Sequence, residues 1–203
     1  KYQYKMSKIE EVIVGTNNEG KYKEICDLLP NKVKKYSPKE FDILAPEETG
    51  KSFKENSFIK ASYFSKKTNL ICLSDDSGLE INLLNGKPGI YSSRWGGEKN
   101  NFDLAIRKIF KEMNNIKENW ENENTARFVC CMTLYWPNGK SYLTQGVVKG
   151  KISDIKKGKN GFGYDPIFIP DGFNQTFGEM TSKLKMSIDH RFMAYHKIKK
   201  FFI

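Results

Sequence analysis

The sequence predicts an α/β protein in which helices flank a mixed β-sheet. In the first half of the chain, apolar strand segments alternate with segments of helical period, which is typical of parallel strands joined by helices. Further along, two strand-like segments flank a tight-turn signal, which predicts an antiparallel pair. With 203 residues, of which 38% are hydrophobic and 13% aromatic, the chain suits one domain, or one domain with two lobes.

The first predicted unit is a strand, a turn and a helix. Residues 11–15, EVIVG, form the apolar run of a buried strand. From residue 19 to residue 29 the apolar side chains fall at helical spacing, and Pro30 ends the helix. A second helix is predicted over residues 51–69, where Ser52 and Glu55 have the spacing of a capping box.

The rest of the chain alternates between strands and helices. Residues 70–89 are predicted to form a strand, an acidic turn and a second strand, and residues 101–113 an amphipathic helix. A long hairpin is predicted over residues 126–152, with its turn at Pro-Asn-Gly. A glycine-rich, aromatic loop then leads into a short strand, and a last helix is predicted from about Ser182 to Phe201.

Charge and cysteine content restrict the class of protein. The 34 basic and 24 acidic residues give a net charge of +10, which favours anionic partners such as nucleotides, nucleic acid or a membrane surface. The four cysteines form no C-x-x-C pair and lie in apolar stretches, which favours reduced thiols over a zinc site. Neither a secretory signal nor a membrane-spanning stretch is evident, so a cytoplasmic protein is expected.

The stretch GTNNEGKY, residues 15–22, differs by one residue from a nucleotide-binding phosphate loop. Tyr22 stands where that motif has the Ser or Thr that ligates Mg²⁺. A strand that enters a helix through this turn still presents free backbone N–H groups, and Lys21 adds a positive charge. The alternative is an ordinary strand–helix turn with a solvated lysine. If the turn holds phosphate, carboxylates elsewhere must hold the metal.

Two adjacent acids, Asp75 and Asp76, are the candidate metal ligands. They follow an apolar segment, and neighbouring carboxylates are costly to bring together unless a cation neutralises them. Mg²⁺ takes a few carboxylates together with substrate phosphates, so a second source such as Glu47 or Glu48 is expected. The alternatives are a polar turn for the aspartates and a solvated loop for the glutamates.

Two later stretches carry groups suited to a nucleotide. In GFGYDP, residues 161–166, aromatic rings interleaved with glycine suit stacking on a flat base, with Asp165 at its edge; the alternative is a bend of core aromatics. In KLKMSIDHR a fixed guanidinium, that of Arg191, suits a carbonyl or phosphate oxygen. His190 and Arg191 are otherwise a solvated helix face.

Taken in order, these stretches resemble the inosine triphosphate pyrophosphatases, enzymes that remove non-standard purine nucleotides from the nucleotide pool. The resemblance extends from about Val12 to the last helix. It rests on seven stretches of this sequence: VGTNNEGKYKE, APEETG, ENSFIKA, SDDSGLEI, GKPGIYSSRW, GFGYDPIFIPDG and EMTSKLKMSIDHR.

The resemblance implies hydrolysis of ITP, dITP and XTP to the monophosphate and pyrophosphate. It also implies dependence on Mg²⁺, a homodimer, and no membrane or specific nucleic-acid partner. The fold it implies is a single α/β domain over residues 1–203, with an elongated mixed sheet, flanking helices and two lobes around a central substrate cleft.

The resemblance also implies roles for individual residues. Asp76 would be a metal ligand and the base for the attacking water, with Glu47 as a further ligand and Asp75 assisting the metal shell. Lys21 and Lys60 would stabilise charge on the leaving pyrophosphate. The residues that would bind the triphosphate are Thr16, Asn17, Asn18, Glu19, Gly20, Lys21 and Lys60. Those that would line the rest of the nucleotide are Ser77, Phe162, Gly163, Tyr164, Asp165, Lys185, His190 and Arg191.

The sequence departs from the family pattern at two points. Asn17 stands where the family usually has glycine; because asparagine tolerates positive φ better than most residues, the turn is expected to persist. The strong positive charge is not a family requirement. A basic nucleic-acid-binding protein and a non-catalytic nucleotide sensor therefore stay open as alternatives.

Overall fold

The computed structural model describes residues 8–97 and 101–203, and a six-stranded mixed sheet is its central element. Its strands are β1 (Glu11–Val14), β2 (Lys34–Tyr36), β3 (Cys72–Ile81), β4 (Thr125–Tyr135), β5 (Ser141–Ile152) and β6 (Phe168–Pro170). They lie in the order β2-β1-β3-β4-β5-β6. β1 pairs in parallel with β2 and β3, whereas β5 pairs antiparallel with β6. This confirms the predicted α/β class with a mixed sheet.

The first three helices lie where the sequence predicts them. They are α1 (Glu19–Leu28), α2 (Phe53–Thr68) and α3 (Phe102–Ile116). Each starts at a polar cap: Asn18, Ser52 and Asn101 accept a hydrogen bond from the backbone N–H three residues later. Such caps satisfy N–H groups that the helix itself leaves without a partner. The local capping signals therefore fixed the starts of these helices.

The predicted hairpin is confirmed as β4, a short turn and β5. The Gly139 N–H donates to the Trp136 carbonyl at 2.9 Å, and Gly139 has a φ of 89°. Because a side chain makes that backbone conformation unfavourable, glycine allows the turn to close tightly.

The predicted acidic turn between two strands is wrong. β3 is one continuous strand that passes through Asp75 and Asp76, whose exposed fractions are 0% and 4%. An Asp-Asp-Ser-Gly sequence favours a turn when its charges need water. In this strand the charges meet cations from elsewhere in the chain, so the backbone stays extended.

The single last helix that the sequence predicts is also wrong. The structure has two short helices, α4 (Ser182–Lys185) and α5 (His190–His196), and then a 3₁₀ turn at Lys199–Phe201. After α4 the Ser187 hydroxyl donates to the Leu184 carbonyl at 2.7 Å. A serine that bonds to nearby backbone competes with regular helical pairing, which is consistent with a break at this point.

The chain divides into two compact units. The first contains residues 8–76, 131–145 and 191–203, and the second contains residues 77–97, 101–130 and 146–190. In the first unit Phe64 of α2 packs with Ile13, Cys72 and Tyr135. All four cysteines are free thiols, as predicted, and Cys26 is the half-buried one.

The second unit has the larger apolar core. Side chains of α3, among them Ile106 and Ile109, pack with Leu79 of β3 and with a group of rings that includes Phe128 and Phe168. Among the described residues, no helix has both the length and the apolar character needed to cross a membrane.

Candidate active site

The turn between β1 and α1 presents the N-terminus of a helix. Asn18 caps α1, and its own N–H donates to Thr16 Oγ1 at 3.1 Å. Positive φ among the described non-glycine residues occurs at Asp42, Asn69 and Asn85. Asn17 therefore needs no left-handed backbone: the turn persists as predicted, but tolerance of positive φ is not the reason.

A pocket of about 230 Å³ lies against this turn. It is lined by Thr16, Asn17, Asn18, Glu19, Tyr22, Ser37 and Lys39. The first four are predicted triphosphate-binding residues, whereas the last three were missed. From the sequence, no strand was predicted at residues 34–36. With β2 paired in parallel with β1, the residues that follow the two strands are expected at the same edge of the sheet.

Asp75 and Asp76 form the centre of a charged cluster in the first unit, which also contains Glu24, Glu48, Lys21, Lys60 and Arg191. Lys21 Nζ lies 3.7 Å from Asp75 Oδ2 and 3.8 Å from Asp76 Oδ1. One ammonium group on α1 therefore faces both carboxylates of β3, and it lies one helical turn after the Asn18 cap.

Lys60 of α2 supplies the second cation of the charged cluster. Its Nζ lies 3.6 Å from Asp76 Oδ1 and contacts Glu48 directly. Burial would lower the pKa of Lys60, but Asp76, Glu48 and Asp75 together raise it above its ordinary value. Burial raises the pKa of Asp76, against the opposing influence of Lys21 and Lys60. Both groups are thus held in an environment that is costly for an isolated charge.

Arg191, at the start of α5, supplies the third cation. Its Nε donates to Asp75 Oδ2 at 3.2 Å and its Nη1 donates to Glu24 of α1. Only 2% of Arg191 is exposed. The sequence predicted a base-binding arginine and did not anticipate these buried ion pairs, because Arg191 and Asp75 are 116 residues apart.

The carboxylates of the charged cluster suit Mg²⁺ as a donor set. Within residues 8–97 and 101–203, no group of three or more His, Cys, Asp or Glu side chains is arranged to hold a metal ion. Mg²⁺ bound with a nucleotide takes one or two carboxylates and completes its shell with phosphates and water. Asp76 and Glu48, which share the Lys60 ammonium, fit that requirement. The contacts of the charged cluster include the half-buried Glu48 and not the predicted Glu47, which is exposed in the same loop.

A second group of predicted residues lies together in the second unit. Lys185 Nζ donates to Asp165 Oδ2 at 2.7 Å, and the Phe162 N–H donates to the same oxygen at 2.9 Å. The Lys185 ammonium also lies 5.2 Å from the centre of the Phe162 ring. A Cβ on Gly161 would lie 2.0 Å from Asp165 Oδ2, so glycine allows this close approach. The loop is thus tied to α4 by a buried ion pair.

The aromatic and polar residues beside this loop differ in accessibility. Tyr164 is buried, and its hydroxyl donates to the Ser92 carbonyl at 2.6 Å. Phe162 and Ser77 are half-buried. His190 is buried, and its imidazole stacks on Phe128 with ring centres 4.7 Å apart and planes 9° apart. Phe162 is therefore the more accessible of the two rings predicted to stack on a base.

The chain is similar to one protein family over nearly its whole length. The model of the Ham1 family matches residues 12–201. The chain is 38% identical over 188 residues to a dITP/XTP pyrophosphatase of Zymomonas mobilis, covering 92% of this chain and 89% of that one. It is 40% identical over 194 residues to a dITP/XTP pyrophosphatase of Dictyoglomus thermophilum, covering 94% and 93%.

Solved structures give the same result. The Ham1 protein of Staphylococcus aureus is 34% identical with a TM-score of 0.81, and the match covers 94% of this chain and 97% of that one. A HAM1 protein of Coxiella burnetii is also 34% identical, with a TM-score of 0.83 and coverage of 94% and 96%.

The charged cluster predicts unequal effects of two lysine substitutions. Lys60→Met removes an ammonium from the buried Asp76 and the half-buried Glu48, so the free energy of unfolding should fall by about 3 kcal/mol. Lys23→Met is the matched control, because Lys23 pairs with Asp27 on α1 while 72% of its side chain is exposed. That change should be below about 1 kcal/mol. Urea unfolding at neutral pH measures both, and equal losses would contradict a neutralising role for Lys60.

Proposed function

The chain belongs to the Ham1 family, and from that membership we propose that it hydrolyses the triphosphates of non-standard purines. The proposed substrates are ITP, dITP and XTP, and the products are the monophosphate and pyrophosphate. Relatives that are 36–40% identical over most of this chain are named dITP/XTP pyrophosphatases. The comparisons give no support to a nucleic-acid-binding protein or to a non-catalytic sensor.

The observation that carries the proposal is the buried pair Asp75 and Asp76 with cations from three helices. Fixed charges of both signs in a site of low exposure are what phosphoryl transfer requires, because the reaction is catalysed mainly by positioning and electrostatics. The four carboxylates of the charged cluster outnumber its three cations by one when all are ionised. A triphosphate adds further negative charge, and this supports a divalent cation as part of the bound state.

For that cation we propose Mg²⁺, which when bound would neutralise charge on the phosphate oxygens and orient them. Asp76 is the proposed first carboxylate ligand. Glu47 stays the sequence-based prediction for the second, whereas the contact between Lys60 and Glu48 supports Glu48 in the same role. Asp75 is fully buried against Arg191, so its proposed part is to orient the cations around Asp76.

The chain's own residues supply the remaining steps. Lys21 and Lys60 are proposed to bind the triphosphate and to stabilise the charge that grows on the departing pyrophosphate. Asp76 is proposed to take a proton from the water that attacks the α-phosphorus. Residues Thr16 to Gly20 would hold phosphate oxygens through the α1 N-terminus. The proposed assembly is a homodimer and the proposed location is the cytoplasm.

For the base we propose the residues that the resemblance implies, with Arg191 among them. Phe162 would stack on the purine, whereas Tyr164 is buried in the core. Lys185, Asp165 and His190 would place polar groups at its edge. Stacking is common to all purines, so it supplies affinity, whereas hydrogen bonds to the ring edge supply selectivity.

Product analysis tests the proposed reaction. The protein incubated with ITP and Mg²⁺ should release inosine monophosphate and pyrophosphate, which phosphorus NMR distinguishes from orthophosphate. Asp76→Asn should abolish release while the circular dichroism spectrum stays unchanged, because an amide cannot accept the proton. Glu47→Gln and Glu48→Gln then show which glutamate sets the half-saturating Mg²⁺ concentration. Orthophosphate as the first product would contradict the proposal, and full activity of Asp76→Asn would remove its role as base.

Arg191 is expected to select the base through the purine six-position. Inosine and xanthine carry a carbonyl oxygen there, to which a guanidinium donates, whereas adenine carries an amino group. Arg191→Ala should lower kcat/KM for ITP by about 10- to 100-fold and change kcat/KM for ATP little. Arg191→Lys keeps a positive charge beside Asp75 and Glu24 but lacks the guanidinium. It therefore separates the effect of losing the charge from the effect of losing selectivity between purine bases. A parallel fall for ITP, XTP, GTP and ATP would assign Arg191 a structural or phosphate-binding role.

A further inference from the structure

Asn56 is a fully buried polar residue that has no part in the roles described above. It lies on α2, and its exposed fraction is 0%. Its Oδ1 accepts a hydrogen bond from the Gly50 N–H at 2.8 Å. Because a backbone N–H can only donate, this contact identifies the carbonyl end of the amide. The side chain thus joins α2 to the loop that carries Glu47 and Glu48.

The loop is packed tightly against the start of α2. A Cβ on Gly50 would lie 2.5 Å from Asn56 Oδ1 and 2.7 Å from Glu55 Cβ. The next residue is also attached to the helix, since the Lys51 N–H donates to Glu55 Oε2 at 2.6 Å. Two consecutive backbone N–H groups are therefore fixed by side chains of one helical turn.

The Asn56 contact lies close to Glu48 in sequence and in space. Glu48 precedes Gly50 by two residues, and its carboxylate contacts Lys60, which follows Asn56 by four residues on α2. Residues four apart on a helix lie on the same face. The loop is thus held at two points on one helix face: at Gly50 by the amide and at Glu48 by the ammonium.

We propose that Asn56 is a positioning residue, which holds the 48–50 segment against α2 and so places the Glu48 carboxylate beside Lys60 and Asp76. The acceptor end of the amide performs this role. Its donor end, Nδ2, has no hydrogen-bond partner among the described residues. Burial of an unsatisfied amino group is unfavourable, so the favourable contact of this amide is the one that its oxygen makes with Gly50.

Three variants test the proposal. Its effect on Mg²⁺-dependent activity rests on the proposed function, whereas its effect on the loop does not. Asn56→Ala removes the bond to Gly50. Asn56→Asp keeps an acceptor oxygen and replaces the amino group with a second carboxyl oxygen. Ser57→Ala is the matched control, because Ser57 is equally buried on α2 but its hydroxyl contacts Thr133 Oγ1 at 2.8 Å instead of the loop. If Asn56→Ala does not fold, Asn56→Ser takes its place. The serine side chain is shorter than that of asparagine, so this variant also removes the contact with Gly50.

The first readout is hydrogen exchange at the Gly50 amide, which needs neither substrate nor metal. Exchange should be about tenfold faster in Asn56→Ala than in the wild type, and unchanged in Asn56→Asp and Ser57→Ala. The second is the Mg²⁺ concentration for half-maximal pyrophosphate release, together with Mn²⁺ binding by calorimetry. In Asn56→Ala the half-maximal Mg²⁺ concentration should rise about tenfold and the Mn²⁺ affinity should fall about tenfold. This is the effect expected when a carboxylate ligand loses the residue that positions it. kcat at saturating Mg²⁺ should change little.

Two results would overturn the proposal. One is equal Gly50 exchange in Asn56→Ala and Ser57→Ala, which would show that the amide does not hold the loop. The other is weakened metal binding in Asn56→Asp despite protected Gly50, which would assign the role to the amino group. If the wild type released no pyrophosphate, the proposed function would fail, while the exchange comparison would still decide whether Asn56 holds the loop.

Discussion

The burial of two adjacent carboxylates in the middle of a strand is the constraint on which the first unit depends. Asp75 and Asp76 are almost inaccessible to water, and such charges persist in a protein interior only with close partners. Those partners come from three separate elements: Lys21 from α1, Lys60 from α2 and Arg191 from α5. Each helix must therefore pack so that its cation reaches β3.

The same constraint connects packing to chemistry. Cations fixed in advance around a site need little reorganisation when a charged substrate binds, which is the basis of electrostatic catalysis. The loop before α2 adds a carboxylate to this arrangement, and a buried amide attaches that loop to the helix. Side chains that contact no substrate thus set the positions of those proposed to do so.

The sequence predicted the elements whose signals are local. The Ser52 cap and the turn at Gly139 each depend on a few neighbouring residues, and both are present in the structure. The continuous course of β3 was missed because Asp-Asp-Ser-Gly favours a turn locally, whereas the neutralising groups lie far away in the chain. The periodicity of the sequence could not predict which of Glu47 and Glu48 contacts Lys60, because this depends on the backbone path of the loop. Arg191 was assigned to the site by resemblance, but its partners Asp75 and Glu24 depend on tertiary packing.

The free energy of unfolding of Asp76→Asn, measured in metal-free buffer at neutral pH, tests most directly whether this carboxylate is kept for function at a cost to stability. Its burial disfavours the charged form, and in the variant Lys60 and Lys21 keep Glu48 and Asp75 as partners. The free energy of unfolding should therefore be equal to or higher than that of the wild type, while pyrophosphate release is lost. A clear fall in the free energy of unfolding with release retained would show that Asp76 stabilises the fold and is not the catalytic base.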